Sequence, residues 1–359
     1  MNTKIVMSKN RRYIKFSQAV NEAIDIAMDI DKNVICYGLG VTDPKGVFGT
    51  TVGLDDKYGK ERVFDMPTSE NAMTGIAVGA ALNGKKVLMT HQRLDFFLLA
   101  LDQLVNSAAK WHYMFGSQKS VPITIRLIVG RGWGQGPTHS QNLQAWFGHM
   151  PGLKVVMPTN AYNAKGLLIS SILDPNPVVF LEHRWLHNST SLVPIKKYFS
   201  KLGKAELLNE GKDITIVSMS YLTAEAIQSS KILESYNINA EVIDLISIRP
   251  IDWETIYNSV NKTNRIIVLD TGVETISVSS EIITRISMKF HNKLKTSPMR
   301  LAMPDVPVPT SFALTKDFYP SIEKIVNLVL SSFNSKIKYK DPSKPDFHDI
   351  PGDWFSGPF

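Results

Sequence analysis

The sequence predicts an α/β protein of two domains with mostly parallel sheets. Three features carry that reading. Short runs of β-branched and other apolar residues alternate with longer stretches of helical periodicity. The alternation runs twice, broken by a polar, lysine-rich segment at residues 193–208. Glycine-rich or polar loops follow the strand ends of the first half, where open α/β sheets carry their sites.

Along the chain, residues 17–30 have helical spacing through Ala19, Ala23, Ile24, Ile26 and Ala27. Val34-Ile35-Cys36-Tyr37 reads as a buried strand that ends in Gly38-Leu39-Gly40. A long loop with Asp43, Pro44, Gly46, Gly49 and Gly53 follows, then a strand at 63–65. Pro67 breaks the extension, and Thr68 or Ser69 is placed to cap a helix that starts with Glu70 and stops at Asn83-Gly84. Gly75 and Gly79 lie four apart on that helix, and Ala72, Ala80 and Ala81 widen a small-residue face open to close approach.

A strand at 86–90 runs into the polar and aromatic cluster His91-Gln92-Arg93-Leu94-Asp95-Phe96-Phe97. An amphipathic helix is predicted at 98–111, and the strongest β run of the chain at 121–129. That strand empties into a second glycine-rich loop, 130–141, which ends at His139-Ser140-Gln141 before a helix-like stretch at 142–148. Strands at 154–158 and 177–182, joined by a helix at 161–173, complete the first domain. The second alternation has strands at 213–219, 240–245, 265–269 and 299–302, with helices at 222–236, 253–260, 277–290 and 321–333. These patterns set domains at 1–192 and 209–334, a linker at 193–208 and a tail at 335–359. The tail is rich in Lys, Pro and Asp, and its Trp354 and Phe355 are placed to dock on another subunit or on their own domain.

Composition narrows the function. The 359 residues suffice for two or three full cores, and 43% hydrophobic with 20% charged residues describes a soluble globular protein. No apolar run approaches the roughly 18 residues of a membrane span, and the N-terminal stretch is too polar for a secretory signal. A single cysteine, Cys36, excludes an intrachain disulfide and suits a cytoplasmic location. The net charge of +7 is mild; its basic residues are scattered without aromatic interleaving, so no nucleic-acid partner is expected.

Candidate chemistry gathers at strand ends. Glu70 opens a helix, where a glutamate most often does no more than complement the helix dipole. His139 has the chemistry of a general acid or base, although either it or His91 alone would more often be structural. Arg93 and Asp95 are as readily a buried ion pair. There is no Gly-x-x-x-x-Gly-Lys-Ser/Thr loop and no Gly-x-Ser-x-Gly elbow. The residues alone point to an acid–base site that needs a cofactor.

Several motifs together resemble one family. They are Pro67-Thr68-Ser69-Glu70 followed by Gly75-Ile76-Ala77-Val78-Gly79-Ala80-Ala81; Asp102-Gln103-Leu104-Val105-Asn106-Ser107-Ala108-Ala109-Lys110; His139-Ser140-Gln141; and Gly148-His149-Met150-Pro151-Gly152-Leu153. From 17 to about 333 the chain resembles the β subunit of the decarboxylating component of 2-oxo-acid dehydrogenases, of pyruvate or branched-chain type. The resemblance implies a pyrimidine-binding thiamine-enzyme domain followed by a smaller transketolase C-terminal-like domain. It implies thiamine diphosphate as cofactor, with Glu70 bonded to the aminopyrimidine ring and promoting the tautomer that removes the thiazolium proton. By the same resemblance Phe96 packs on the pyrimidine, Gln92 lies in the cofactor group, and His139 orients the acyl acceptor and handles protons. Ile123, Ser171, Asp174 and Asn176 match a structural potassium site.

The family's Gly-Asp-Gly…Asn motif, which holds the diphosphate through Mg2+, is absent from this sequence. The resemblance therefore implies a separate α chain, an α2β2 heterotetramer and a lipoyl acyltransferase as acyl acceptor. Two departures stand out. Leu39 occupies a position that is acidic in the family, and His91-Gln92-Arg93-Leu94-Asp95 replaces a phenylalanine-rich strand end. His91 and Arg93 are accordingly expected to meet a polar or anionic 2-oxo acid. The alternative reaction is transketolase-like or carboligase transfer to an aldehyde or sugar.

Overall fold

Apolar runs bounded by glycine, proline or polar residues form strands through most of the chain. The computed structural model describes residues 11–131, 134–342 and 348–357. Most of the basic leader, Gly132 and Trp133 of the second glycine-rich loop, and the terminal Pro358 and Phe359 lie outside the described residues.

The strands, in order, are β1 (Arg11–Lys15), β2 (Val34–Gly38), β3 (Val63–Asp65), β4 (Lys86–His91), β5 (Ile123–Val129), β6 (Lys154–Val156), β7 (Val178–His183) and β8 (Thr190–Pro194). They continue as β9 (Glu206–Asn209), β10 (Ile214–Ser218), β11 (Ala240–Asp244), β12 (Ser247–Arg249), β13 (Ile266–Val273) and β14 (Met299–Met303). A seven-stranded sheet has the order β12-β6-β7-β5-β4-β2-β3. Its strands from β6 to β3 are all parallel. A five-stranded sheet, β14-β13-β10-β11-β9, forms the second domain and is parallel except for β9. β5 and β7 are buried at every position, as continuous apolar strands of a doubly covered parallel sheet should be.

Helices Phe16–Ile30 and Ala161–Leu173 pack together on one face of the first sheet. On the other face lie helix Glu70–Leu82 and the irregular segment 94–114. Each apolar cluster continues into the second domain, one through Tyr221 and Leu222, the other through Val217 and Ile248. The parallel arrangement leaves the carboxyl ends of β3, β2, β4, β5 and β7 along a single edge.

Several expectations change. The helix expected at 98–111 is broken into a 3₁₀ turn (Leu98–Ala100), a π turn (Gln103–Ala108) and an α-helix (Ala109–Met114). The wide turn meets the small-residue helix: Gln103 Oε1 lies 3.4 Å from where a Cβ on Gly75 would sit. Gly79, by contrast, faces open space. Ser69 holds the N-cap position of helix Glu70–Leu82, but its side chain makes no capping bond.

β9 begins inside the stretch read as linker, because a half-exposed four-residue edge strand has no clear apolar period. β12 leaves the second half of the sequence to add an antiparallel edge to the first sheet. β1 and β8 pair into a separate ribbon across the start and end of the first domain. The tail packs on its own chain, with Trp354 and Phe355 against the main apolar cluster.

Candidate active site at the carboxyl edge of the first sheet

β3 ends at Asp65, and its carboxylate holds the entrance of the first glycine-rich loop. Oδ1 accepts from Val41 N at 2.7 Å, and Oδ2 accepts from the Thr42 hydroxyl at 2.8 Å. Five residues on, Glu70 opens its helix with only 5% exposure. Among the described residues no group donates a hydrogen bond to its carboxylate. Tyr37 and Met73, whose hydroxyl and carbonyl join at 2.8 Å, pack in the apolar cluster behind this helix. Neither carboxylate oxygen is among the fully buried atoms that lack a partner, so the acid end is enclosed by its own chain but still open toward the edge of the sheet, where a ligand or partner chain can meet it.

The helix packs against the turn Leu94–Phe97, which follows β4. Phe96 on that turn is half-buried and meets His139 edge-on, ring centroids 5.3 Å apart at 90°. The fold thus brings Phe96 and His139, 43 positions apart in the chain, into one ring pair next to the Glu70 helix. Thr138 Oγ1 lies 3.1 Å from His139 Nδ1, which orients the ring.

Beneath these groups, the strand-end cluster anchors both glycine-rich loops. Gln92 Nε2 donates to Leu39 O at 3.2 Å, and a Cβ on Gly40 would come within 2.5 Å of that nitrogen. Arg93 is 3% exposed; Nη1 donates to Gly130 O at 2.8 Å, and Nη2 donates to Gln135 Oε1. Asp95 Oδ1 accepts from Gln141 Nε2 at 2.8 Å, and the Ser140 hydroxyl donates to Gln135 O at 2.9 Å. Burial pulls the Arg93 guanidinium down to about 10 against the pull of Asp95, so it stays cationic at neutral pH. Burial likewise pulls His91 down to about 3, leaving a neutral ring edge-on to Phe97.

His91 and Arg93, expected to meet the substrate, are held back from the open edge. Both are enclosed, and both terminal nitrogens of Arg93 are committed to the second loop. They shape the site from below. Gln92 similarly ties β4 to the first loop, which is a supporting position for any cofactor.

His183 was missed because the sequence reading stopped β7 at Glu182. It is buried, and burial pulls it to about 3, helped by Arg93 and His187. Gly130, at φ +80°, lies so close that an added Cβ would be 2.1 Å from His183 Nε2. Only glycine can stand at the root of this loop. The same strand-end rule that singled out His91 would have found His183 had β7 been extended by one residue.

Ile123, Ser171, Asp174 and Asn176 lie at the opposite edge, where β5 and β7 begin. The Asp174 carboxylate accepts from Lys154 Nζ at 2.5 Å and from Asn176 N at 2.9 Å. Its charge is thus neutralised within the chain, and a cation here would have to rely on carbonyl oxygens. Among the described residues there is no cluster of three or more His, Cys, Asp or Glu side chains able to hold a metal ion.

Comparison with known proteins identifies both domains. Residues 12–189 match the transketolase pyrimidine-binding domain, and residues 203–325 match the transketolase C-terminal domain. A solved split-gene transketolase, described as an inactive beta4 tetramer, superposes with a TM-score of 0.73 at 21% identity. It covers 90% of this chain and 99% of its own, and supports the fold. Fold and site define a transketolase-type, thiamine-diphosphate-dependent enzyme chain.

The chain is 40% identical over 312 residues to the mitochondrial pyruvate dehydrogenase E1 component subunit beta of Pisum sativum, covering 86% of this chain and 87% of that one. The Acholeplasma laidlawii pyruvate dehydrogenase E1 subunit beta is 39% identical, covering 87% and 95%. The beta subunit of the acetoin:2,6-dichlorophenolindophenol oxidoreductase of Bacillus subtilis is 36% identical, covering 89% and 97%. The chain belongs to the family of beta subunits of the E1 component of 2-oxo-acid dehydrogenases.

Proposed function

We propose that this chain is the β half of a heterotetrameric enzyme that decarboxylates a 2-oxo acid such as pyruvate and passes the acyl unit to an acceptor, lipoyl in the usual case. The observation that carries the reading is Glu70: an enclosed carboxylate at a helix start, with no donor among the described residues, in a sequence without the diphosphate-binding motif. The site is half built. Gly79 and the exposed Ile76 on the same helix present the face on which an α chain, bringing Mg2+ and the diphosphate pocket, would close it.

Thiamine diphosphate, when bound, supplies the carbon nucleophile that attacks the 2-oxo carbonyl and accepts the electron pair left by CO2. The residues present fit its pyrimidine end. Glu70 would hold a proton against the ring nitrogen, a hydrogen bond that strengthens once a partner chain excludes water from the cleft. Phe96 would give the ring an apolar wall. His139, held by Thr138 and Phe96, would pass a proton to or from the acyl acceptor. A potassium ion at the opposite edge would rest on the carbonyl oxygens near Ile123, Ser171, Asp174 and Asn176, and would stiffen the strand starts.

His139→Ala tests the division of labour. In the chain assembled with its α partner, acyl transfer to a lipoyl domain is expected to fall about 10²-fold or more. Decarboxylation followed with the artificial oxidant dichlorophenolindophenol should fall by less than tenfold. Equal losses in both assays would remove the acceptor role of His139. The wild-type complex also decides the acceptor: efficient transfer to an aldehyde or sugar, with none to lipoyl, would replace this reading by carboligation.

A further inference from the structure

The transketolase C-terminal match ends at residue 325, yet the chain runs on past helix Ile322–Ser332 and returns to the first domain. Its described part is pinned at several points. Tyr339 and Asn327 exchange two hydrogen bonds, Tyr339 N to Asn327 Oδ1 and Asn327 Nδ2 to Tyr339 O, each 2.8 Å. His348 stacks on Phe312 with centroids 4.0 Å apart, and Thr315 Oγ1 lies 3.0 Å from its Nδ1. Gly352 N and Trp354 Nε1 both donate to Glu225 Oε1, at 2.7 and 2.8 Å, and Glu225 is 1% exposed. A carboxylate buried to that degree needs such donors, so this part of the tail belongs to the folded unit.

Between these anchors the tail reaches the active-site edge by two routes. Asp349 Oδ2 lies 3.1 Å from Arg131 Nη2, with side chains 18% and 7% exposed. Phe355 packs edge-on against Trp185, which packs on His183 at 5.0 Å, and His183 abuts Gly130. Both routes end on Gly130 and Arg131, the root of the loop that carries His139. Arg93 grips the same root from the sheet side. An ion pair this enclosed fixes geometry more firmly than a surface pair, because its charges are little screened.

We propose that residues 348–355 form an intramolecular strap that sets the His139 loop, with Asp349 the positioning residue acting through Arg131. Its functional part rests on the role of His139 proposed above; its structural part does not. Asp349→Asn in the full-length chain leaves the Glu225 anchors in place and removes the carboxylate charge facing Arg131, which also neighbours the Tyr319 hydroxyl. Hydrogen exchange of the amides between 135 and 141 is then expected to speed up about tenfold, while helix Glu70–Leu82 and β10 keep their protection. Asp349→Glu, which retains the charge, should restore slow exchange. Unchanged exchange in the loop, or an equal rise throughout the second domain, would overturn the strap. Faster loop exchange with undiminished acyl transfer would uphold the strap and count against His139.

Discussion

Glu70→Gln in the assembled complex is expected to lower kcat by about 10²- to 10⁴-fold, the range for losing a positioned acid–base group. Glutamine keeps the shape and a hydrogen-bonding amide but cannot hold and return a proton. The loss corresponds to about 3–5 kcal/mol of barrier. Folding should hardly notice. Among the described residues nothing donates to the Glu70 side chain, so the change leaves no internal group unpaired. Only its favourable place on the first helical turn is given up, about 0.3–1 kcal/mol. A thermal melt of the variant should overlay the wild type to within a few degrees while turnover collapses. A Glu70→Gln complex with near wild-type kcat would show that this carboxylate does no chemistry.

The opposite pattern is expected at Arg126. Its guanidinium and the Glu182 carboxylate are both fully buried and meet diagonally across the neighbouring strands β5 and β7. Nε donates to Oε1, and Nη2 donates to Oε2 at 3.0 Å and to Thr50 Oγ1 at 2.6 Å. His187 Nε2 stands 3.2 Å from the same carboxylate. Burial alone would push the Glu182 carboxyl up; Arg126 and then His187 outweigh it and hold the group below its ordinary value. Arg126→Met leaves Glu182 charged and without its main partner, at a cost of about 3–5 kcal/mol.

The melting temperature should drop by roughly 10 °C. Arg126→Met combined with Glu182→Leu removes both charges and should recover most of it. A single variant as stable as the wild type would mean that the pair contributes nothing to folding. Thr50 sits in the first glycine-rich loop, so the single variant should also loosen that loop; here stability and site share a residue network.

How far the sequence shows this can be judged at particular residues. β3 and helix Ala161–Leu173 have the expected bounds, because proline and glycine punctuate strong periodic runs there. β12 is three residues long and follows Ile246, which has a positive φ of 54°. Nothing in the local pattern reveals that it joins the first sheet, since that pairing is fixed by tertiary packing. The interruption of the helix at 98–111 is also invisible locally: leucine and alanine spacing suits an α-helix, and the π turn answers a neighbour at Gly75. Glu70, Phe96 and His139 were legible as strand-end or loop chemistry, and the fold places Phe96 and His139 together beside the Glu70 helix. The commitment of Arg93 to Gly130 and Gln135 was not legible, because it depends on a loop from the next strand.

The central claim is that this chain holds one half of a thiamine diphosphate site. Titration of thiamine diphosphate with Mg2+ into the chain alone, into the α partner alone and into their complex, followed by calorimetry, tests it directly. Tight, saturable binding is expected only for the complex, with one cofactor per αβ pair. Binding to this chain alone as tight as to the complex would contradict the half-site account.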